Sequence, residues 1–121
     1  MADQQREITS FQNPLVKKIR SLAYKKYRKR EGLFWAEGVR NTLEAIDNGW
    51  DIEMLVYSPA LLRSNLARER IATSEFRTVA VAERIFERIA LSELPQGLGA
   101  LIHLPKRTIA DIAPTNDALI V

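Results

Sequence analysis

The side chains of this chain that are best suited to chemistry are cationic and lie close together. Eight Lys and Arg residues fall within the fourteen positions 17–30, and no acidic residue is among them. Such side chains neutralise phosphates and release the counterions of a polyanion, and they position a nucleic acid without reading its sequence. A solvated face is the alternative, and for an ordinary charge run it would be favoured. The one-sign density here instead indicates a polyanion, of which RNA and DNA are the usual ones. The predicted RNA-binding cations are Lys17, Lys18, Arg20, Lys25, Lys26, Arg28, Lys29 and Arg30.

Three further side chains in this segment are candidates for RNA contact. Tyr24 and Tyr27 lie between the cations and could stack on unpaired bases, although packing on a sheet is the interpretation we favour for at least one of them. Asn13 precedes Pro14, a pair that is typical of a helix start. This pair could direct helix N–H groups toward a phosphate, but a structural helix cap is the simpler interpretation.

Other kinds of site have little support in the composition. The chain has no cysteine and a single histidine, which excludes thiolate chemistry and a metal site built from several histidines. His103 lies in an apolar run and is predicted to be a packed or edge residue. The five glycines are scattered, so no glycine-rich phosphate loop is present. A free-standing enzyme is therefore the least favoured of the possible functions.

The overall composition is that of one globular domain with a charged arm. The chain has 121 residues, of which 46% are hydrophobic, and a net charge of +3. Residues 1–30 carry nine basic and two acidic side chains, whereas residues 31–121 carry nine basic and thirteen acidic ones. No apolar run approaches the roughly 18 residues of a membrane span. The N-terminus lacks a signal-peptide core, which predicts a cytoplasmic protein without membrane contact.

The hydrophobic pattern predicts alternating helices and strands. We predict a first helix from residue 14 to Tyr24 or Lys25, followed by a basic turn or short helix. Later helices are predicted at 37–48, 60–73 and 82–91, and the second of these is predicted to be interrupted or frayed around Ser64 and Asn65. Strands are predicted at 33–36, 52–57, 77–81 and 98–104. Strands separated by helices of about 10–15 residues favour an α/β sandwich with helices on both faces of the sheet. The predicted core includes Trp35, Trp50, Val39, Leu43 and Ile46.

Glu37 and Gly38 lie where a predicted strand becomes a helix. Glu37 could accept hydrogen bonds from helix amides or pair with Arg28 or Arg30. Gly38 could permit close packing at the turn. We assign both residues a structural role, because Glu37 has no second titratable partner nearby in sequence for acid–base chemistry.

The two ends differ from the body of the chain. Residues 1–7 are polar and predicted to be a disordered arm, and residues 105–117 have the composition of a linker. Residues 118–121 form an apolar run that is typical of the first strand of another domain. We expect this chain to be the N-terminal piece of a longer protein, which the coding sequence beyond Val121 would test.

The order of several short motifs resembles that of a known family. The chain is similar to the substrate-binding N-terminal domain of the SpoU-type (TrmH-like) RNA 2′-O-ribose methyltransferases. The block from Asn13 to Gly38 is the most specific part of this resemblance, which extends over residues 8–121. The residues that carry it are Ser10, Asn13, Pro14, Lys17, Leu22, Arg28, Gly32, Phe34, Glu37, Gly38 and the run Pro95, Gln96, Gly97 before an apolar strand.

The resemblance implies a fold and a function. Residues 8–104 should form a three-layer α/β/α sandwich with a small mixed sheet, similar to the ribosomal proteins that bind kink-turn RNA. Residues 118–121 would begin a knotted (SPOUT) methyltransferase domain that binds S-adenosylmethionine and forms a homodimer. The family methylates a ribose 2′-hydroxyl of rRNA or tRNA, so the resemblance favours RNA as the polyanion that the cationic residues contact, and we favour structured rRNA as the partner.

The catalytic motifs of the family do not occur in this sequence. The resemblance therefore implies that the chain by itself binds RNA, needs no cofactor or metal and does not methylate. A stand-alone RNA-binding module of the kink-turn ribosomal-protein type is the alternative function.

Overall fold

The computed structural model describes residues 7–105. The predictions for the N-terminal arm, the linker and the strand at 118–121 fall almost wholly outside these residues. Five helices and four strands lie between them. In chain order they are α1 (Pro14–Ser21), α2 (Lys25–Glu31), β1 (Leu33–Glu37), α3 (Val39–Asp47), β2 (Ile52–Tyr57), α4 (Asn65–Thr73), β3 (Thr78–Ala80), α5 (Glu83–Ile89) and β4 (Leu98–His103).

The four strands form one mixed sheet in the order β1-β4-β2-β3. Strand β4 pairs antiparallel with both β1 and β2, while β2 and β3 run parallel. A register shift between Ile52 and Met54 marks an irregularity in β2. Ile8 forms a parallel bridge with Val81, so the chain before α1 lies beside the β3 end of the sheet.

Side chains of the sheet alternate between two apolar layers, as the period of an extended strand requires. On one face Met54, Val56 and Leu101 pack with α1 and α5 in one buried cluster. On the other face Leu55 and Ala100 pack with α3. The predicted α/β sandwich with helices on both faces is confirmed, whereas the likeness to kink-turn-binding ribosomal proteins stays a prediction.

Helix α1 ends earlier than the sequence predicts. It stops at Ser21, and the N–H of Leu22 bonds to the carbonyl of Ile19 at 3.1 Å. Leu22 is buried, and a turn to Tyr24 separates α1 from α2. A continued helix would place Lys26 in the apolar stripe, and the break avoids that burial.

The core prediction is wrong for Trp50 and holds in part for α3, whose half-buried Val39 and Ile46 pack against buried clusters. Trp50 follows the turn after α3 and has 48% of its surface exposed. The buried residues of α3 are Thr42 and Ala45, whereas Val39, Leu43 and Ile46 are half-buried. The helix begins two residues later than predicted, and its small side chains turn toward the sheet because they allow a close approach.

Helix α4 occupies only the second half of the predicted segment. Its N-cap is Ser64, whose Oγ accepts a hydrogen bond from the N–H of Ala67 at 3.1 Å. This is the position where the sequence predicts an interruption. Within residues 7–105, no helix is long and apolar enough to cross a membrane.

Candidate nucleic-acid interface

Helix α1 carries the first part of the cationic segment (residues 17–30), and its opposite face is buried. The Asn13 side chain accepts a hydrogen bond from the N–H of Leu15 at 2.8 Å, and Pro14 is the first helical residue. The predicted helix cap is therefore confirmed. Val16 and Ile19 are buried against α5 and the sheet. Of the cations on this helix, Lys17 and Arg20 are exposed and Lys18 is half-buried.

Helix α2 carries the second part and buries none of its residues. It spans seven residues and ends at Gly32, whose φ of 69° is a left-handed value that glycine adopts without strain. Lys25, Lys26, Lys29 and Arg30 are all exposed. Since no residue of the helix is fully buried, its exposed cations can contact an outside partner.

The two tyrosines contact each other and the neighbouring cations. Tyr24 is 65% exposed, and its ring meets that of Tyr27 edge-on with 6.4 Å between centroids. The Lys26 ammonium lies 5.1 Å and the Arg30 guanidinium 4.8 Å from the Tyr27 ring centre. Cations over an aromatic face are held by the ring quadrupole, which orders these long side chains on the surface. Tyr24 thus presents an exposed ring beside an ordered cationic group.

Arg28 differs from the other cations of the segment. Its Nη1 donates to the carbonyl of Leu22 at 2.9 Å and to that of Ala23 at 3.2 Å. Its Nε is buried without a hydrogen-bond partner. The guanidinium therefore closes the C-terminal end of α1, and its contribution to RNA contact stays a prediction.

Glu37 holds the loop after α5. Its Oε1 accepts from the N–H of Leu91 at 2.7 Å and from the indole N–H of Trp35 at 3.1 Å. Its Oε2 accepts from the N–H of Ser92 at 3.3 Å. The partners are loop amides and an indole rather than Arg28 or helix amides, so the predicted structural role holds with different partners.

Gly38 makes the turn between β1 and α3. Its φ is 104°, a conformation that side chains rarely adopt, and its N–H bonds to the carbonyl of Leu98 at 2.8 Å. A Cβ here would lie 3.3 Å from the Oε1 of Gln96. That same oxygen accepts from the N–H of Val39 at 2.8 Å and caps α3, a role that no sequence signal indicates.

His103 lies at the end of β4 and pairs with Glu53. Its Nε2 is 2.7 Å from the Glu53 Oε1, and both side chains are about two-fifths exposed, at 41% and 39%. Among the residues that the structure describes, no group of three His, Asp or Glu side chains could hold a metal ion. The candidate site is thus the cationic and aromatic surface that α1 and α2 form on a mixed α/β sandwich.

The sequence matches one family model over most of its length. The model describes the MRM3-like substrate binding domain and matches residues 13–100. The chain therefore belongs to this family, in agreement with the resemblance that the motifs indicate. No match is found among curated proteins.

Solved structures of methyltransferases contain a similar domain. An rRNA methyltransferase from Sinorhizobium meliloti is 31% identical, with a TM-score of 0.65 over 84% of this chain and 38% of the other. An RNA 2′-O ribose methyltransferase is 26% identical, with a TM-score of 0.73 over 86% and 40%. The SpoU methyltransferase AviRb from Streptomyces viridochromogenes, in complex with AdoMet, is 26% identical, with a TM-score of 0.64 over 77% and 34%. This chain spans well under half the length of each of them.

Proposed function

We propose that this chain holds the RNA substrate of an rRNA 2′-O-ribose methyltransferase. The observation that carries the proposal is α2, an element that buries nothing and exposes four cations of one sign. Membership of a substrate-binding family supports the same function. Structured RNA is the proposed partner, since the exposed Tyr24 adds a stacking surface that a purely electrostatic contact would not need.

The chemistry is proposed to reside in another part of the full-length protein. The similar solved structures are methyltransferases, and this chain spans only 34–40% of three of them. One of these contains AdoMet. We therefore propose that the whole protein binds S-adenosylmethionine in a knotted SPOUT domain, forms a homodimer through it and works in the cytoplasm. The residues of this chain would bind and orient RNA while that domain transfers the methyl group.

The choice of rRNA over tRNA follows the similar proteins. One of the similar structures is an rRNA methyltransferase, which favours rRNA for this chain as well. A stand-alone RNA-binding module is not favoured, because the structures that share the fold are methyltransferases.

A charge reversal in α2 tests the RNA contact. Lys26 and Lys29 lie three residues apart on one face of α2, so that Lys26→Glu with Lys29→Glu removes two neighbouring cations. We expect a large loss of affinity for a folded rRNA fragment. The slope of log affinity against log salt should become shallower by roughly 1.4–1.8 units, since each of the two lost phosphate contacts removes about 0.7–0.9.

The matched control reverses two exposed cations elsewhere on the domain. Arg63→Glu with Arg77→Glu changes the net charge equally but leaves α2 intact. Its salt slope should stay near that of the unmodified chain. Equal losses in both variants would reduce the contact to general electrostatic attraction, and unchanged binding in the α2 variant would refute the proposal.

A further inference from the structure

Strand β1 forms an edge of the sheet. It pairs with β4 on one side, and its other side has no strand among residues 7–105. The opposite end of the sheet is closed differently, because the N–H of Ile8 bonds to the carbonyl of Ala80 at 2.9 Å. Among the described residues, the edge at β1 is thus the one without a second strand or bridge partner.

The main-chain groups at this edge follow from the antiparallel pattern. The N–H of Gly38 bonds to the carbonyl of Leu98, and the N–H of Leu104 bonds to the carbonyl of Gly32, both at 2.8 Å. Residues of even number in β1 therefore face β4, because hydrogen-bonded positions alternate along an antiparallel pair. Leu33 and Trp35 consequently direct their N–H and C=O groups away from β4.

A groove runs along this edge, and we refer to it as the β1 groove. At one end the Trp50 ring is 48% exposed and meets the ring of Phe34 at 6.0 Å between centroids. Polar groups at this end come from α3 and the turn after it. The residues that line the β1 groove are Phe34, Trp35, Ala36, Glu37, Asn41, Glu44, Ala45, Asn48, Trp50 and Leu91.

The β1 groove continues under the cationic segment. A second depression shares Phe34, Trp35 and Leu91 with it and is lined on the far side by Arg20 and Arg28. Nucleotides that lie on α1 and α2 would therefore be next to the β1 groove, because the two depressions share three lining residues. The two depressions form one surface with a cationic end and an aromatic end.

The chemistry of the aromatic end fits a nucleobase better than a phosphate. Its lining has no Lys or Arg and includes the carboxylates of Glu37 and Glu44, so that it offers an anion no cation to bind. A neutral base needs a flat aromatic face and groups that pair with its edge, and unpaired RNA bases are recognised in this way. Trp50 supplies the face and Asn48 supplies an amide. The Asn41 Nδ2 donates to the carbonyl of Glu37 at 3.0 Å, so that this side chain offers its amide oxygen. Glu44 pairs with Arg40 through Oε2 at 3.4 Å and offers its other oxygen to an exocyclic amino group.

We propose that the β1 groove binds one unpaired base of the RNA whose phosphates lie on α1 and α2. This inference rests on the proposed function and adds a specific contact to it. The cations position the strand, and the groove distinguishes RNA with an accessible base from a fully paired duplex. Recognition of unpaired RNA is thereby assigned to Trp50 and the rim of α3.

A second copy of this chain is the competing occupant. The outward main-chain groups of Leu33 and Trp35 could pair with another strand, and Leu91 is 69% exposed beside them. The amide and carboxylate groups of α3 and the continuity with the cations favour RNA. The test therefore includes the oligomeric state as an outcome.

The test compares Trp50→Ala with Leu66→Ala in the full 121-residue chain. Leu66 is a matched control, because it lies on α4 and is 57% exposed. The probes are an RNA hairpin with an unpaired loop and a fully paired RNA duplex of equal length. We expect Trp50→Ala to weaken hairpin binding by roughly 5- to 150-fold with an unchanged salt slope, since one base–aromatic stack is lost. Duplex binding and the control should not change, and Trp50→Phe should recover most of the loss.

A measurement on the unmodified chain protects the test against misfolding of a variant. The indole N–H resonance of Trp50 should shift when the hairpin is added and stay in place when the duplex is added. Unchanged hairpin binding by Trp50→Ala, or an unshifted resonance, would overturn the groove contact. If the α2 charge reversal still weakens binding in that case, the proposed function stands without the groove. If that reversal also has no effect, the proposed function fails as well. A dimer in light scattering that Trp50→Ala disrupts would assign the groove to a second copy instead.

Discussion

Arg28 has a structural role in this fold, whereas the neighbouring cations of α2 are exposed. Replacing it with alanine removes the guanidinium that bonds to Leu22 O at 2.9 Å and Ala23 O at 3.2 Å. Leu22 is the C-cap of α1 and is buried, so its carbonyl loses a charged donor at a helix end. A hydrogen bond to a charged group contributes about 1.5–3 kcal/mol.

The net effect is smaller than the sum of these bonds. The Nε of Arg28 is buried without a partner, and its desolvation offsets part of the gain. The bond to Ala23 is exposed to solvent and adds little. We therefore expect Arg28→Ala to lower the free energy of unfolding by about 1–2 kcal/mol. For a domain of this size the melting temperature should fall by roughly 4–16 °C.

Urea denaturation and an RNA salt series together test this reasoning. The control is Lys29→Ala, the neighbouring exposed cation, which should change stability by less than about 0.5 kcal/mol. The control should flatten the salt slope by about 0.7–0.9, whereas Arg28→Ala should leave the slope nearly unchanged under conditions where it is folded. An Arg28→Ala chain with unaltered urea midpoint and a salt slope as shallow as that of Lys29→Ala would refute the structural role.

Three further substitutions probe the scaffold around the interface. Asn13→Ala should cost about 1 kcal/mol in urea denaturation and Asn13→Ser should cost little, because serine also caps α1; equal losses would contradict the cap. Gly99→Ala should destabilise the domain by about 1–3 kcal/mol, because a Cβ there would lie 2.3 Å from two ring carbons of Trp35; wild-type stability would show that the ring moves freely. Glu37→Ala should speed hydrogen exchange at the amides of Leu91 and Ser92, which lose their acceptor, and unchanged protection would mean that other contacts hold the loop.

The local features of this fold could be predicted from the sequence. The N-caps at Asn13 and Ser64 depend on residues within one helical turn. The strands at β2 and β4 are clear because a continuous apolar run specifies a strand buried on both faces. The cationic segment is likewise a property of composition, which needs no coordinates to be seen.

The fate of individual side chains could not be predicted in the same way. The sequence predicts Trp50 in the core because its side chain is apolar, yet its position after the turn that follows α3 leaves it half exposed. Arg28 is one of eight similar cations in the sequence, and only the return of α2 toward the end of α1 selects it as a structural donor.

The amino-acid sequence by itself determined the sandwich, the cationic segment and the family to which the chain belongs. These depend on the order and periodicity of residue types, which act over short distances along the chain. Tertiary structure decided which cations face outward, where Glu37 finds its partners and that a groove opens beside β1. Glu37 and Leu91 are 54 positions apart, and contacts at such separation exist only once the sheet has brought β1 and the loop after α5 together.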